Sequence, residues 1–157
     1  MPSHRQTLLV IVALTVGLFT IQACGGAASN SPQPSAKVRQ LIHPNPDMGY
    51  SDASGYGDLV WTAGHLPFQA NSTDPFATQV EAVLDNLEAT LEEAGAGFDT
   101  VLKTNVYLMS FDDWPVFNEV YVARLGQYGL PPRSTIQVAG LGLGRIEIEM
   151  VAHVREP

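Results

Sequence analysis

An α+β domain of element order ββαβαββ is predicted from one long amphipathic helix with turn residues at both ends, two C-terminal stretches of period-two alternation, and short β-favouring runs set between glycines. The first hairpin is expected where the polar, Gly-spaced stretch from Tyr50 to Asp58 leads into the apolar run Leu59 to Thr62, which ends at Gly64. Asp74 and Pro75 then offer an N-cap and a first-turn proline for a helix whose Val80, Val83, Leu84, Leu87 and Leu91 recur at helical spacing until Gly95. Its opposite face carries Glu81, Asp85, Glu88 and Glu92, read as a solvated surface. Val101 to Met109 is the next strand. Ser110 starts a second helix running through Trp114, Phe117, Val120, Tyr121 and Leu125, closed by Gly129 and Pro131-Pro132. Arg133 to Ala139 and Arg145 to Arg155 are the last two strands, separated by the Gly-rich turn Gly140 to Gly144. The expected product is a mixed sheet with both helices packed on one face.

The alternation also assigns faces. Ile136, Val138, Ile146, Ile148, Met150 and Val154 share one parity and are expected under the helices, whereas Arg133, Thr135, Gln137, Glu147 and Glu149 take the other. A sheet face bearing an arginine and two carboxylates is either solvated or lines a polar cleft, including one closed by another subunit. Periodicity leaves both open.

The segment before this domain has the organisation of an export signal: Arg5 in a polar start, an apolar run of fourteen residues from Leu8 to Ile21, then Ile21-Gln22-Ala23-Cys24. A spanning helix needs about 20 apolar residues, so the run suits a signal-peptide core. Its ending resembles a lipobox. The expected organisation is a signal peptide at 1–23, a lipidated Cys24 with a small, polar, Pro-containing tether to residue 37, and one domain at 38–157, giving an exported, lipid-anchored envelope protein. Simple secretion after cleavage at Ala23 is the rival reading. Cys24 is the only cysteine, which excludes an internal disulfide and a cysteine nucleophile in the domain. Without the leader's Arg5, 7 basic residues face 16 acidic ones, and no Lys/Arg cluster exists for phosphate contacts, so nucleic acid is excluded as a partner. No His/Cys/carboxylate spacing points to a metal, and Gly140 to Gly144 lacks the helix and lysine of a phosphate loop.

Gly49-Tyr50, LVWTAGHLP, the Gln79 to Gly95 helix, LKTNVYL, the Phe111 to Tyr121 segment, PPRST and RIEIEMVA, in that order, resemble the Rid (YjgF-like, reactive-intermediate deaminase) family over roughly Leu41 to Val154. The resemblance implies a chorismate-mutase-like fold, a homotrimer with clefts between neighbouring subunits, and cofactor-free, metal-free chemistry. It also implies hydrolysis of 2-imino acids or their enamine tautomers to 2-oxo acids and ammonia, with small 2-imino or 2-oxo carboxylates as ligands.

Carried over residue by residue, the resemblance makes Arg133 the carboxylate clamp, Glu147 the group that positions water and moves its proton, and Tyr50 and Asn118 neighbours of the cleft. The backbone N–H of Thr135 joins the carboxylate grip, and Ala63 lines the substrate site. A planar guanidinium suits a carboxylate because it donates two parallel hydrogen bonds, which a lysine does not reproduce. The bland readings remain: a surface salt bridge for Arg133, solvated strand carboxylates for Glu147 and its same-face neighbour Glu149, a structural polar group for Asn118. Four positions depart from the family pattern: Gly49 stands for proline, Ala63 for serine, His65 for glutamine and Thr135 for cysteine. His65 is either a pH-dependent cleft group or a structural one. The competing function is a non-catalytic trimeric module that binds small carboxylates or docks another envelope protein. A ribonuclease label carried by some relatives is opposed by the acidic charge.

Overall fold

The computed structural model describes residues 39–156; the expected leader, Cys24 and the tether lie outside the described residues. The described elements are β1 (Arg39–Asn45), β2 (Tyr50–Tyr56), β3 (Leu59–Thr62), α1 (Phe76–Glu93), β4 (Val101–Leu108), α2 (Trp114–Leu125), β5 (Arg133–Gln137) and β6 (Ile146–His153). They form one mixed six-stranded sheet of order β1-β2-β3-β6-β4-β5 with both helices on one face. No helix among the described residues is long and apolar enough to cross a membrane.

The expected order lacks one strand. β1 pairs antiparallel with β2, yet its sequence, RQLIHPN, alternates poorly and contains Pro44. A proline removes a ladder donor and is tolerated on an edge strand, which is where β1 lies. The β2–β3 hairpin turns at Gly57, whose φ of +65° suits glycine.

α1 follows its apolar spacing: Val80, Val83, Leu84, Leu87 and Leu91 are all fully buried. Each such side chain contributes about 1.5–3 kcal/mol of burial. The start differs from expectation. Pro75 is the cap residue and Asp74 turns back to accept from the Asn71 backbone N–H at 2.8 Å, so it does not cap the helix. At the other end Gly95 (φ +77°) lets Ala96 N–H reach Leu91 C=O and Gly95 N–H reach Glu92 C=O, satisfying two terminal carbonyls. The acidic face of α1 is more than a solvated surface. Glu81 and Asp85 accept from Arg124 Nη1 at 2.5 and 2.8 Å, and Glu88 from Nη2 at 2.8 Å, which clamps α2 to α1.

α2 buries a narrow stripe of Phe117, Tyr121 and Leu125, one residue per turn, while Trp114 stays 39% exposed. Because α2 crosses over between them, β4 and β5 run parallel, with Thr104, Val106 and Leu108 opposite Arg133, Thr135 and Gln137. β6 lies on the other side of β4, so the Gly-rich connection joins strands that are not neighbours.

Candidate functional site

Register decides where the expected site residues lie. On β4, Thr104, Val106 and Leu108 are buried under the helices, and they pair with Met150, Ile148 and Ile146 of β6. Side chains of paired residues point to the same face. Arg133 and Thr135 therefore lie on the helix face, and Glu147 and Glu149 on the opposite one with Tyr107 and Asn105. The expectation of a single face carrying Arg133, Thr135, Gln137, Glu147 and Glu149 is overturned for β5. Ile136, expected in the core, is 49% exposed. Parity counted across an irregular Gly-rich connection has no phase to transmit.

The Arg133 half is built by α2 and the edge strand β5. Phe117 and Tyr121, four residues apart and buried, present their rings to the guanidinium at 4.8 and 4.7 Å. Nη2 donates to Asn118 Oδ1 at 2.9 Å. Cation–π contact of this kind is worth about 0.5–2 kcal/mol and holds the fork in one plane. Arg124, Arg145 and Arg155 each have a carboxylate partner, whereas among the described residues no carboxylate pairs with Arg133. No salt bridge among the described residues accounts for Arg133. Thr104 N–H donates to Pro132 C=O and Val138 N–H to Leu108 C=O, so even-numbered residues of β5 turn their backbone toward β4. The N–H groups of Arg133 and Thr135 consequently face the open edge of the sheet.

The Glu147 half is built by β6, β2 and the segment after β3. Tyr50, Ala63, Gly64 and Glu147 line one cavity of about 390 Å³. Gly64 leaves room for the Glu147 carboxyl: a Cβ on it would overlap that carboxyl and push this flexible side-chain end aside. The segment is locked by reciprocal backbone bonds between His65 and Ile148, at 2.8 and 3.1 Å, which fix Gly64 against Glu147. His65 itself is buried, its Nε2 3.4 Å from Asp52 C=O, and burial pushes its pKa down. It does not line the cavity that holds Glu147.

The two glutamates separate cleanly. Glu149 Oε1 accepts from Asn105 Nδ2 and Tyr107 OH, both at 2.9 Å, so it is tied into the sheet. Glu147 accepts no side-chain hydrogen bond among the described residues, and burial, then the Glu149 charge, raises its pKa above the ordinary carboxylate value. A carboxyl so placed beside a cavity is suited to taking and returning a water proton.

Tyr50, Ala63 and Glu147 thus come together, as do Arg133 and Asn118, but the two groups lie on opposite faces of one sheet, and the Thr135 backbone faces the open edge of β5. Sequence reasoning missed the ring platform of Phe117 and Tyr121 and the seat formed by Gly64. The i, i+4 aromatic pair was visible as a core stripe, and only the β5 register reveals its second use.

The sheet order and these two polar seats define a chorismate-mutase-like α+β domain suited to holding a small molecule. The family model described as Endoribonuclease L-PSP matches residues 41–154. A RutC family protein of Pyrococcus abyssi is 33% identical over 115 residues, which cover 70% of this chain and 90% of that protein. A 2-iminobutanoate/2-iminopropanoate deaminase of Dermatophagoides farinae is 29% identical over 75% of this chain and 95% of its own. The crystal structure of RidA from an Antarctic Psychrobacter species superposes with a TM-score of 0.65 at 35% identity, covering 73% of this chain and 99% of that one. The chain belongs to the Rid (YjgF-like) family.

Proposed function

We propose that this protein hydrolyses reactive 2-imino acids, or their enamine tautomers, to 2-oxo acids and ammonia. The carrying observation is a guanidinium with no carboxylate partner among the described residues, stacked on two rings and hydrogen-bonded to Asn118, on a strand whose alternate backbone N–H groups face the open edge. This is a receptor for a planar carboxylate. In the reaction, water adds to the imine carbon while Glu147 takes its proton. The carbinolamine then loses its C–N bond, the nitrogen leaving as ammonia with the returned proton, and the carbonyl forms. Tyr50, on the same cavity wall, orients the reacting end.

In this reading the protein is a homotrimer in which the Arg133 edge of one subunit closes the Glu147 cavity of the next. Support comes from the opposite-face placement of the two halves, which a small substrate cannot bridge within one protomer. A monomeric mass by light scattering would remove the interfacial site. Export and lipid anchoring through Cys24 belong to the same proposal: Cys24→Ser should shift the protein out of the membrane fraction, and unchanged fractionation would count against it.

The chemistry is tested by 2-oxo acid release from a freshly generated 2-imino acid, background hydrolysis subtracted, for the protein and its Arg133→Ala variant. Acceleration lost in the variant supports the reading. Ala63, which places no hydroxyl on the cavity wall, favours a second reading as a carboxylate-binding module without turnover; absence of acceleration across several imino acids would select it.

A further inference from the structure

The Glu147 cavity has a second wall that the proposed chemistry leaves unused. Beyond Tyr50 and Glu147 it is lined by Met48, Leu66, Phe68 and Leu143, and its volume of about 390 Å³ lies within the range of small-molecule sites. Met48 and Phe68 are 63% and 54% exposed, unusual for large apolar side chains gathered at one opening.

The wall is held in place from beneath by α1. Asn86 Nδ2 donates to Leu66 C=O at 3.0 Å and its Oδ1 accepts from Gln69 at 2.5 Å, which fixes the segment carrying Leu66 and Phe68. Gln79, fully buried, donates to Ser72 and Asp74 C=O and accepts from Arg145 N–H at 3.0 Å, which fixes the Gly-rich connection carrying Leu143. Gly144 (φ +66°) lets that connection close on Pro67, since a Cβ there would come within 2.5 Å of the Pro67 ring. Two loops far apart in sequence are thus anchored to one helix so that their apolar side chains face one space. Preorganisation of this kind lowers the ordering cost of binding.

We infer that this wall reads the side chain of the substrate, selecting 2-imino acids with apolar side chains of leucine to phenylalanine size over alanine-sized and acidic ones. The inference rests on the proposed deaminase reading for the identity of the ligand. With the carboxylate on a neighbouring subunit's arginine and the imine carbon at Glu147, Leu66, Phe68 and Leu143 are the apolar lining groups left to meet the remaining substituent. Among the described residues Glu147 is the only charged group lining the cavity, so an acidic side chain meets repulsion there. One methylene in an apolar pocket changes discrimination by about 10-fold or more.

The test measures binding of stable 2-oxo acid products to the full-length protein by calorimetry, alongside turnover of the matching imino acids. 4-Methyl-2-oxopentanoate is expected to bind at least about tenfold more tightly than pyruvate or 2-oxoglutarate. Phe68→Ala and Leu143→Ala should erase that preference by weakening 4-methyl-2-oxopentanoate binding about tenfold; Phe68 is exposed, so its removal leaves the fold intact. Equal affinities, a preference for pyruvate or 2-oxoglutarate, no binding of any 2-oxo acid, or a preference that survives both variants would overturn the inference. Selective binding without turnover would support it and overturn only the deaminase chemistry.

Discussion

The two halves of the candidate site are built by opposite means. Arg133 is placed by attraction: two buried rings and an amide hold a long, flexible cation on the helix side of an edge strand. Glu147 is placed by exclusion: a glycine locked into register leaves just enough room for its carboxyl on the other side of the sheet. An ion held by favourable contacts tolerates changes nearby, whereas one seated by close approach does not.

The largest effect should come from the attractive half. Arg133→Ala is expected to lower kcat/KM on the order of 100-fold, the scale of losing a charge-assisted, bidentate contact. Arg133→Lys should recover little, because the charge remains but the planar fork does not. Equal activity of the lysine variant would show that charge alone suffices. The same comparison predicts complementation: subunits carrying Arg133→Ala, unfolded and refolded together with subunits carrying Glu147→Gln, should regain activity that neither variant shows alone. No recovery in verified mixed oligomers would place both halves of each site within one subunit.

Next comes the half seated by exclusion. Gly64→Ala should displace the Glu147 carboxyl, the flexible end that its Cβ would meet, with little loss of stability. Turnover should fall while 2-oxo acid binding at Arg133 persists. Thermal unfolding together with ligand titration checks this, and loss of both functions in a folded variant would show that the halves are coupled.

Asn118→Ala should cost less. It removes one hydrogen bond from Arg133, about 1.5–3 kcal/mol for a bond to a charged group, while the rings still hold the guanidinium. A rise in KM larger than that of Arg133→Ala would contradict the ring platform.

The smallest effect is in pH dependence. Burial and the Glu149 charge raise the Glu147 pKa, so the working carboxylate is lost as pH falls through a value above the ordinary one. Glu149→Gln removes the like charge and should move the acid limb of kcat/KM to lower pH. For stability the sign is opposite to that of a salt-bridged acid. Between the unfolded pKa and the raised native one, the folded state holds more proton, so stability falls as pH rises through that window. Glu147→Gln should abolish this slope in a thermal-unfolding series.

Much of the architecture was legible because it is local. The α1 stripe from Val80 to Leu91 and the alternation of Ile146, Ile148 and Met150 are repeats of one element's own period, and every one of those residues is buried. The Arg133 and Glu147 positions were legible through the family resemblance of PPRST and RIEIEMVA. β1 was not legible, since an edge strand with Pro44 owes its structure to hydrogen bonds with β2. The acidic face of α1 is solvent-exposed as expected, but its ion pairing was not legible for a similar reason: its partner, Arg124, lies on another helix.

What the sequence by itself determined is which residues lie inside each element, because that follows from side-chain periodicity within a continuous segment. Only the tertiary structure decided which side of the sheet Arg133 occupies and which glutamate is tied down. Arg133 follows the parallel pairing of β5 with β4 after the α2 crossover, and Glu149 is held by Asn105 and Tyr107 of a neighbouring strand. Pairing between distant strands sets its own phase, and no pattern within either strand carries it.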